Sequence, residues 1–365
     1  MTQLNIQFQN IINLLCGFQI ILFVFNLLYG PYPYLYILAA ITPVNILLAI
    51  YTYRHGFILR NAVFILTALL ALLIFTILSP AKDDYKYLTL LIGVSAFFIS
   101  LILNGKSALN LIFYLNLLLN IIVFKIGLQN GFDVNFGNNI LFNASRNMVS
   151  SYLIVSIIYY LFFSFKYNEK INIFLVSLFF VNSLILYGRS GIALGSMILI
   201  YSLYKRFGKS LFLILSVILL SSISTIYMFI LEKTNFSEGL ESPRTAMFNE
   251  YITDPSLQDI IFGREIAECC ATISLFDNNP HNSFIFAHIN YGIPSIILFL
   301  LIFITILKTK EYELIFFIIV LYIRYSLDVM GAFLFSDVVI FSIFIYAFRY
   351  LKDKNHSSKL ELEYK

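Results

Sequence analysis

The stretch Glu232–Gly292, EKTNFSEGLESPRTAMFNEYITDPSLQDIIFGREIAECCATISLFDNNPHNSFIFAHINYG, decides how the remaining chain is read. It is the one long polar interval in an otherwise almost wholly apolar sequence, and it ends in Pro280-His281-Asn282-Ser283, just where hydrophobicity resumes. It carries Arg244 and Arg264 together with the carboxylates of Glu250, Asp254, Asp259, Glu265, Glu268 and Asp277. Structureless connections beyond about 12 to 15 residues are usually functional or disordered. The interval is therefore expected to be a working lid between membrane spans.

Outward from this stretch, composition sets the class. The chain has 365 residues, 60% of them hydrophobic and only 12% charged, against about 25% charged in a soluble domain. With so few charges it cannot cover a soluble globule, and its mean hydropathy of +0.85 agrees. Apolar runs of the length that a hydrocarbon core of about 30 Å requires recur from end to end. The expected fold class is all-α, a polytopic integral membrane protein with about twelve transmembrane helices and a large periplasmic loop. The spans are expected near 9–29, 34–53, 61–79, 87–103, 109–127, 147–165, 171–187, 190–204, 210–231, 284–307, 313–327 and 334–350. This divides the chain into nine spans over 1–231, the loop over 232–283, three spans over 284–351 and a tail over 352–365. The first apolar run follows Met1-Thr2-Gln3-Leu4-Asn5 rather than a basic n-region, so it is expected to stay as a span.

Short cytoplasmic loops carry an excess of Lys and Arg. Arg54 and Arg60, Lys106, Lys166 and Lys170, Lys205, Arg206 and Lys209, Lys308 and Lys310 all fall in alternate connections, and the tail adds Arg349, Lys352, Lys354, Lys359 and Lys365. Both termini are thus expected in the cytoplasm and the long loop outside. The net charge of +4 is small and its cations are dispersed, which argues against nucleic acid and for control of topology. Aromatics are 17% of the chain, all Phe and Tyr. Tyr29, Tyr32, Tyr34, Tyr36, Tyr51 and Tyr53 cluster at expected span ends, where anchoring at the headgroups is the ordinary role and sugar stacking the special one. Three cysteines, Cys16 and the adjacent Cys269-Cys270, have no metal-ligand spacing and are expected to be incidental.

Few residues remain to carry chemistry. Arg189 lies in Tyr187-Gly188-Arg189-Ser190-Gly191, a break between two spans. It is either a guanidinium snorkelling to a headgroup or a phosphate clamp, its planar fork matching phosphate oxygens in pairs and the flanking glycines admitting a ligand. Arg244 and Arg264 are each a solvated or locally paired charge on their own; with Arg189 they are enough to hold a pyrophosphate without a metal. Among His55, His281, His288 and His356, His281 is the candidate base, because an imidazole accepts a proton near neutral pH. A lone histidine is more often structural, and His288 reads as packing or a supporting partner. Asn282 and Ser283 are positioned to cap the following span.

Gly188-Arg189-Ser190-Gly191 opening a span, an external loop bearing arginines, and Pro280-His281-Asn282-Ser283 followed by Tyr291-Gly292-Ile293-Pro294 resemble the O-antigen polymerase and ligase superfamily of bacterial envelope proteins. The resemblance spans the whole chain as architecture and about fifteen residues as motif. It implies a metal-independent, cofactor-free glycosyltransferase of the inner membrane that uses undecaprenyl-pyrophosphate-linked oligosaccharides as donor and acceptor at the periplasmic face, among membrane lipids and with a polysaccharide chain-length regulator as partner. It also implies that Arg189 and Arg244 bind the donor pyrophosphate and that His281, in the pair His281-Asn282, assists the acceptor hydroxyl. Arg189, Arg244 and His281 are thus the expected catalytic residues, and Arg264, Asn282 and Tyr291 are further expected to bind substrate. Tyr291 stands before Gly292 where ligases often carry a glutamate, which favours a Wzy-type polymerase over a ligase. A lipid-linked oligosaccharide flippase is the alternative from outside the enzymes.

Overall fold

A computed structural model of the chain describes residues 3–30, 33–52, 62–82, 85–133, 136–142, 145–221 and 243–363. Arg54, His55 and Arg60, the residues 222–231 that would complete the ninth expected span, and the first part of the polar interval, 232–242, lie outside these. Among the described residues every regular element is helical. In chain order they are α1 (Gln3–Tyr29), α2 (Tyr34–Thr52), α3 (Ala62–Leu78), α4 (Lys86–Ile102), α5 (Lys106–Gln129), α6 (Arg146–Lys166), α7 (Ile173–Ile185) and α8 (Arg189–Ser221). Then follow α9 (Pro243–Ile252), α10 (Leu257–Phe262), α11 (Ile266–Cys269), α12 (Ala271–Leu275), α13 (Ser283–Tyr291), α14 (Ile293–Thr309), α15 (Tyr312–Tyr325) and α16 (Val338–Glu363).

Four of these, at Gln7–Tyr29, Tyr34–Thr52, Lys106–Gln129 and Arg146–Lys166, are long and apolar enough to cross a membrane. Further apolar helices such as Lys86–Ile102 and Ile293–Thr309 are shorter.

The chain forms two compact units. The first holds residues 1–17, 24–31 and 104–241, and α6 is its core: 83% of its most apolar window is buried. Polar side chains join its helices where no hydrophobic drive between them exists. Asn182 on α7 donates to the side chain and carbonyl of Asn120 on α5, each at 2.9 Å, and Asn120 donates in turn to Asn116. Gly188 and Gly191 serve this packing. A Cβ at 188 would stand 2.9 Å from Asn147 Oδ1, and one at 191 would collide with Ser150 of α6. The glycines beside Arg189 thus admit a neighbouring helix, where sequence had suggested a ligand.

The second unit holds residues 18–23, 32–103 and 242–365. Gln19 and Asn45 exchange amide hydrogen bonds at 2.8 and 3.0 Å, and Asn45 donates to Ser95 on α4 at 2.6 Å. From Ser242 on the polar interval belongs to this unit, and its described part is a chain of short helices. Helix α10 starts from a reciprocal cap between Ser256 and Asp259.

The expected span 284–307 is instead two helices, α13 and α14, broken at Gly292. Gly292 adopts φ 63°, and Pro294 sits in the first turn of α14, the residue types that end one helix and start another. Gly263, at φ 93°, ends α10 against the same break. A Cβ there would meet the Ile289 carbonyl at 2.8 Å, and one on Gly292 the Ile261 carbonyl at 2.6 Å. The polar interval and the break between α13 and α14 therefore touch backbone to backbone. In the first unit, the expected boundary between 190–204 and 210–231 is kept: α8 is two helical stretches that meet at a non-helical kink at Gly208, where φ is 77°, and it is described as far as Ser221.

Candidate functional site

The site is built around Asp328, which follows α15 in the second unit. One of its carboxylate oxygens accepts from Arg244 Nη2 at 3.1 Å and stands 3.7 Å from His281 Nδ1; the other accepts from Arg324, one helical turn back. Arg244 comes from the first turn of α9, His281 from the residue pair ahead of α13, and Arg324 from the end of α15. Three separate elements are thus drawn to one carboxylate. Arg324 is wholly buried, whereas the side chains of Arg244 and His281 are 29% and 27% exposed. The buried pair forms a fixed floor, and the other two groups face an approach. Burial pushes the Asp328 carboxyl up, but the Arg324 guanidinium, then His281 and Arg244, outweigh it and hold it below its ordinary value of 3.8. With a neutral imidazole the two guanidiniums and one carboxylate leave a net positive charge.

Local chemistry sets the imidazole. Residues Asp277, Asn278 and His281 all take positive φ, 54°, 59° and 47°, a conformation that non-glycine residues hold only when their surroundings impose it. Asn279 accepts the His281 amide at 2.9 Å, and the Phe276 ring meets the imidazole edge-on at 5.7 Å. Asn282 caps α13 as its sequence position implied, accepting from the amides of Phe284 and Ile285, and its amide also donates to the Ser326 carbonyl at 3.2 Å. Ser283 does something the sequence did not disclose. Its hydroxyl donates to the Asp328 carbonyl at 2.7 Å and accepts from the amides of Met330 and Gly331, tying the start of α13 to the loop that presents Asp328. The far end of that loop is pinned by buried Asp337, which accepts from the Ala332 and Leu334 amides at 3.0 and 2.9 Å and from the Tyr325 hydroxyl at 2.7 Å.

The remaining residues singled out from sequence go elsewhere. Arg264 donates to the carbonyls of Tyr251 and Thr253 at 2.6 and 2.9 Å and lies 3.7 Å from Asp259. It latches α9 to α10, so its donors serve the lid instead of the substrate expected for it. Tyr291 is fully buried, its hydroxyl 2.6 Å from that of Thr89, and offers no surface to a sugar. His288 is the supporting partner expected: its Nε2 lies 2.8 Å from the Ile260 carbonyl and must donate there, so Nδ1 accepts from Tyr251 Oη at 2.6 Å. Arg189 opens α8 in the first unit and is half-buried. Arg146, not singled out from sequence, opens α6, and the next residue, Asn147, packs against Gly188. The one signal for Arg146 is a cation at a helix N-terminus, where the dipole disfavours it.

Cys269 and Cys270, expected to be incidental, form a disulfide with each other. Among the described residues no three His, Cys, Asp or Glu side chains gather as a metal-ligand set. No family model, curated protein or solved structure matches the chain.

Proposed function

We propose that the protein is a polytopic membrane glycosyltransferase, an O-antigen-type polymerase that joins polyprenyl-pyrophosphate-linked oligosaccharides on the outer side of the cytoplasmic membrane. The observation that carries this reading is the convergence of His281 and Arg244 on Asp328 at the seam between the lid and the bundle. A base, an orienting carboxylate and an anion-binding cation share one partly open place.

In this reading the acceptor hydroxyl attacks C1 of the donor glycan while the C1–oxygen bond to pyrophosphate breaks. His281 takes the hydroxyl proton on Nε2, because Nδ1 faces Asp328, which orients the ring and favours the imidazolium that forms. A separation of 3.7 Å is longer than a hydrogen bond, and such contacts often tighten only when substrate is bound. Arg244 meets the charge gathering on the leaving pyrophosphate, the preorganised electrostatics that is commonly the largest catalytic effect. In the first unit, Arg189 is assigned to the diphosphate of a lipid carrier.

Twelve crossings with both termini inside remain part of the proposal. The alternation of basic connections supports that orientation, and so does the disulfide at Cys269–Cys270, since such bonds persist in oxidising compartments. The test is glycan length in cells producing His281→Ala, Arg244→Ala or Arg189→Ala at the normal level. Single repeat units in place of a ladder are expected from each. Full-length ladders from all three would end the reading, and finished polymer left on its lipid carrier would point to a ligase.

A further inference from the structure

The disulfide joins two adjacent residues, and this decides what it can do. Cross-links stabilise chiefly by closing loops in the unfolded chain, by an amount that grows with loop length; neighbours close none. Its influence is therefore local, at the corner where α11 ends and α12 begins, for Cys270 caps both. Cys270 is buried in an apolar cluster with Met247 and Tyr251 of α9, Ile273 of α12, and Ile285 and Ile289 of α13. Cys269 is half-buried at the edge of that cluster, next to exposed Ala267 and Glu268. Two residues beyond the pair, the Thr272 amide donates to Glu250 Oε2 of α9 at 2.9 Å. The corner thus bears directly on the helix that carries Arg244 and on the one that begins just after His281.

We infer that Cys269–Cys270 is a thiol–disulfide exchange site whose partner is a dithiol of the extracytoplasmic side, and that its state sets the placement of α9. A partner thiolate attacks Sγ of Cys269, the less buried residue of the pair. The S–S bond breaks, and Cys270 Sγ leaves with the electron pair and takes a proton. The partner's second thiolate then attacks the mixed disulfide, releasing Cys269 as a thiol and leaving the partner oxidised. Two electrons and two protons pass to the pair; a disulfide of the same class reverses the exchange. Opening the ring frees the corner between α11 and α12 and loosens α9, with Arg244, from Asp328.

The experiment uses the full chain in detergent and makes no demand on glycan transfer. The chain contains no tryptophan, so Phe248→Trp, on α9 where Phe248 is 46% exposed, gives a single reporter. Labelling with iodoacetamide in denaturant is expected to modify only Cys16 before reduction and all three cysteines after dithiothreitol. Reduction is expected to shift the reporter's emission to longer wavelength, with recovery on adding oxidised dithiothreitol. The same reporter in a Cys269→Ser/Cys270→Ser chain should start at the shifted position and ignore reductant. Three thiols labelled without reduction would overturn the inference, as would unchanged emission in a wild-type pair that labelling shows to be open; the latter holds even if the serine variant does not fold.

Discussion

Asp328 shows how much one carboxylate can organise. It is the ion-pair partner of a guanidinium that has no access to water, so removing its charge takes a carboxylate away from a buried cation. Breaking a buried pair from one side costs about 3 to 5 kcal/mol. Asp328→Asn is accordingly expected to lower the thermal midpoint of the purified protein clearly more than Arg244→Ala, whose side chain can turn to solvent; equal shifts would mean that the pair is not the floor of the site. The same group sets a response to acid. Its folded value lies below the unfolded one, so the stabilisation it gives is complete above the unfolded value and fades as pH falls through the folded one. Melting curves from pH 6 downward should show a loss confined to the region below the ordinary carboxylate value and absent from Asp328→Asn. Ser283, two residues after His281, belongs to this scale as well, because one hydroxyl with three backbone partners ties the start of α13 to the loop that presents Asp328.

Among the elements, the short helices of the polar interval are held by several anchors, of which two stand out. One is the backbone contact of Gly263 and Gly292; the other is Arg264, which gathers carbonyls from the end of α9. Gly263→Ala places a Cβ against two carbonyls at a left-handed φ and is expected to cost more than about 1 kcal/mol. Proteolysis of the segment 243–283 should accelerate in this variant while the bundle helices stay protected. The salt link of Lys82 with Glu265, where the carboxylate raises the Lys82 ammonium above its ordinary value, ties the α11 corner to the residues before α4. That link is exposed on the lysine side, and pairs of this kind contribute little on their own.

The whole molecule is governed by its solvent. Buried amide ladders such as Asn116–Asn120–Asn182 replace the hydrophobic drive that lipid denies to helix association, and orientation follows from the placement of cations. In spheroplasts, Leu275→Cys on the lid, where Leu275 is 82% exposed, should react with a membrane-impermeant maleimide. Lys354→Cys in the tail should react only after permeabilisation. Native cysteines do not interfere, since Cys16 is buried and the other two are bonded to each other. Labelling of Lys354→Cys before Leu275→Cys would invert the topology.

Helical class, the positions of nearly all apolar helices and the cap at Asn282 could be read from residues alone, because length, apolarity and capping are properties of neighbours along the chain. His281 and Arg244 could be proposed on the same footing. Their meeting at Asp328, the structural duties of Arg264 and Tyr291, the clamp made by Ser283 and the bond between Cys269 and Cys270 belong to the folded molecule. Each depends on which groups, many residues apart or free to turn either way, come within reach of one another once the helices pack, and no local pattern encodes that distance.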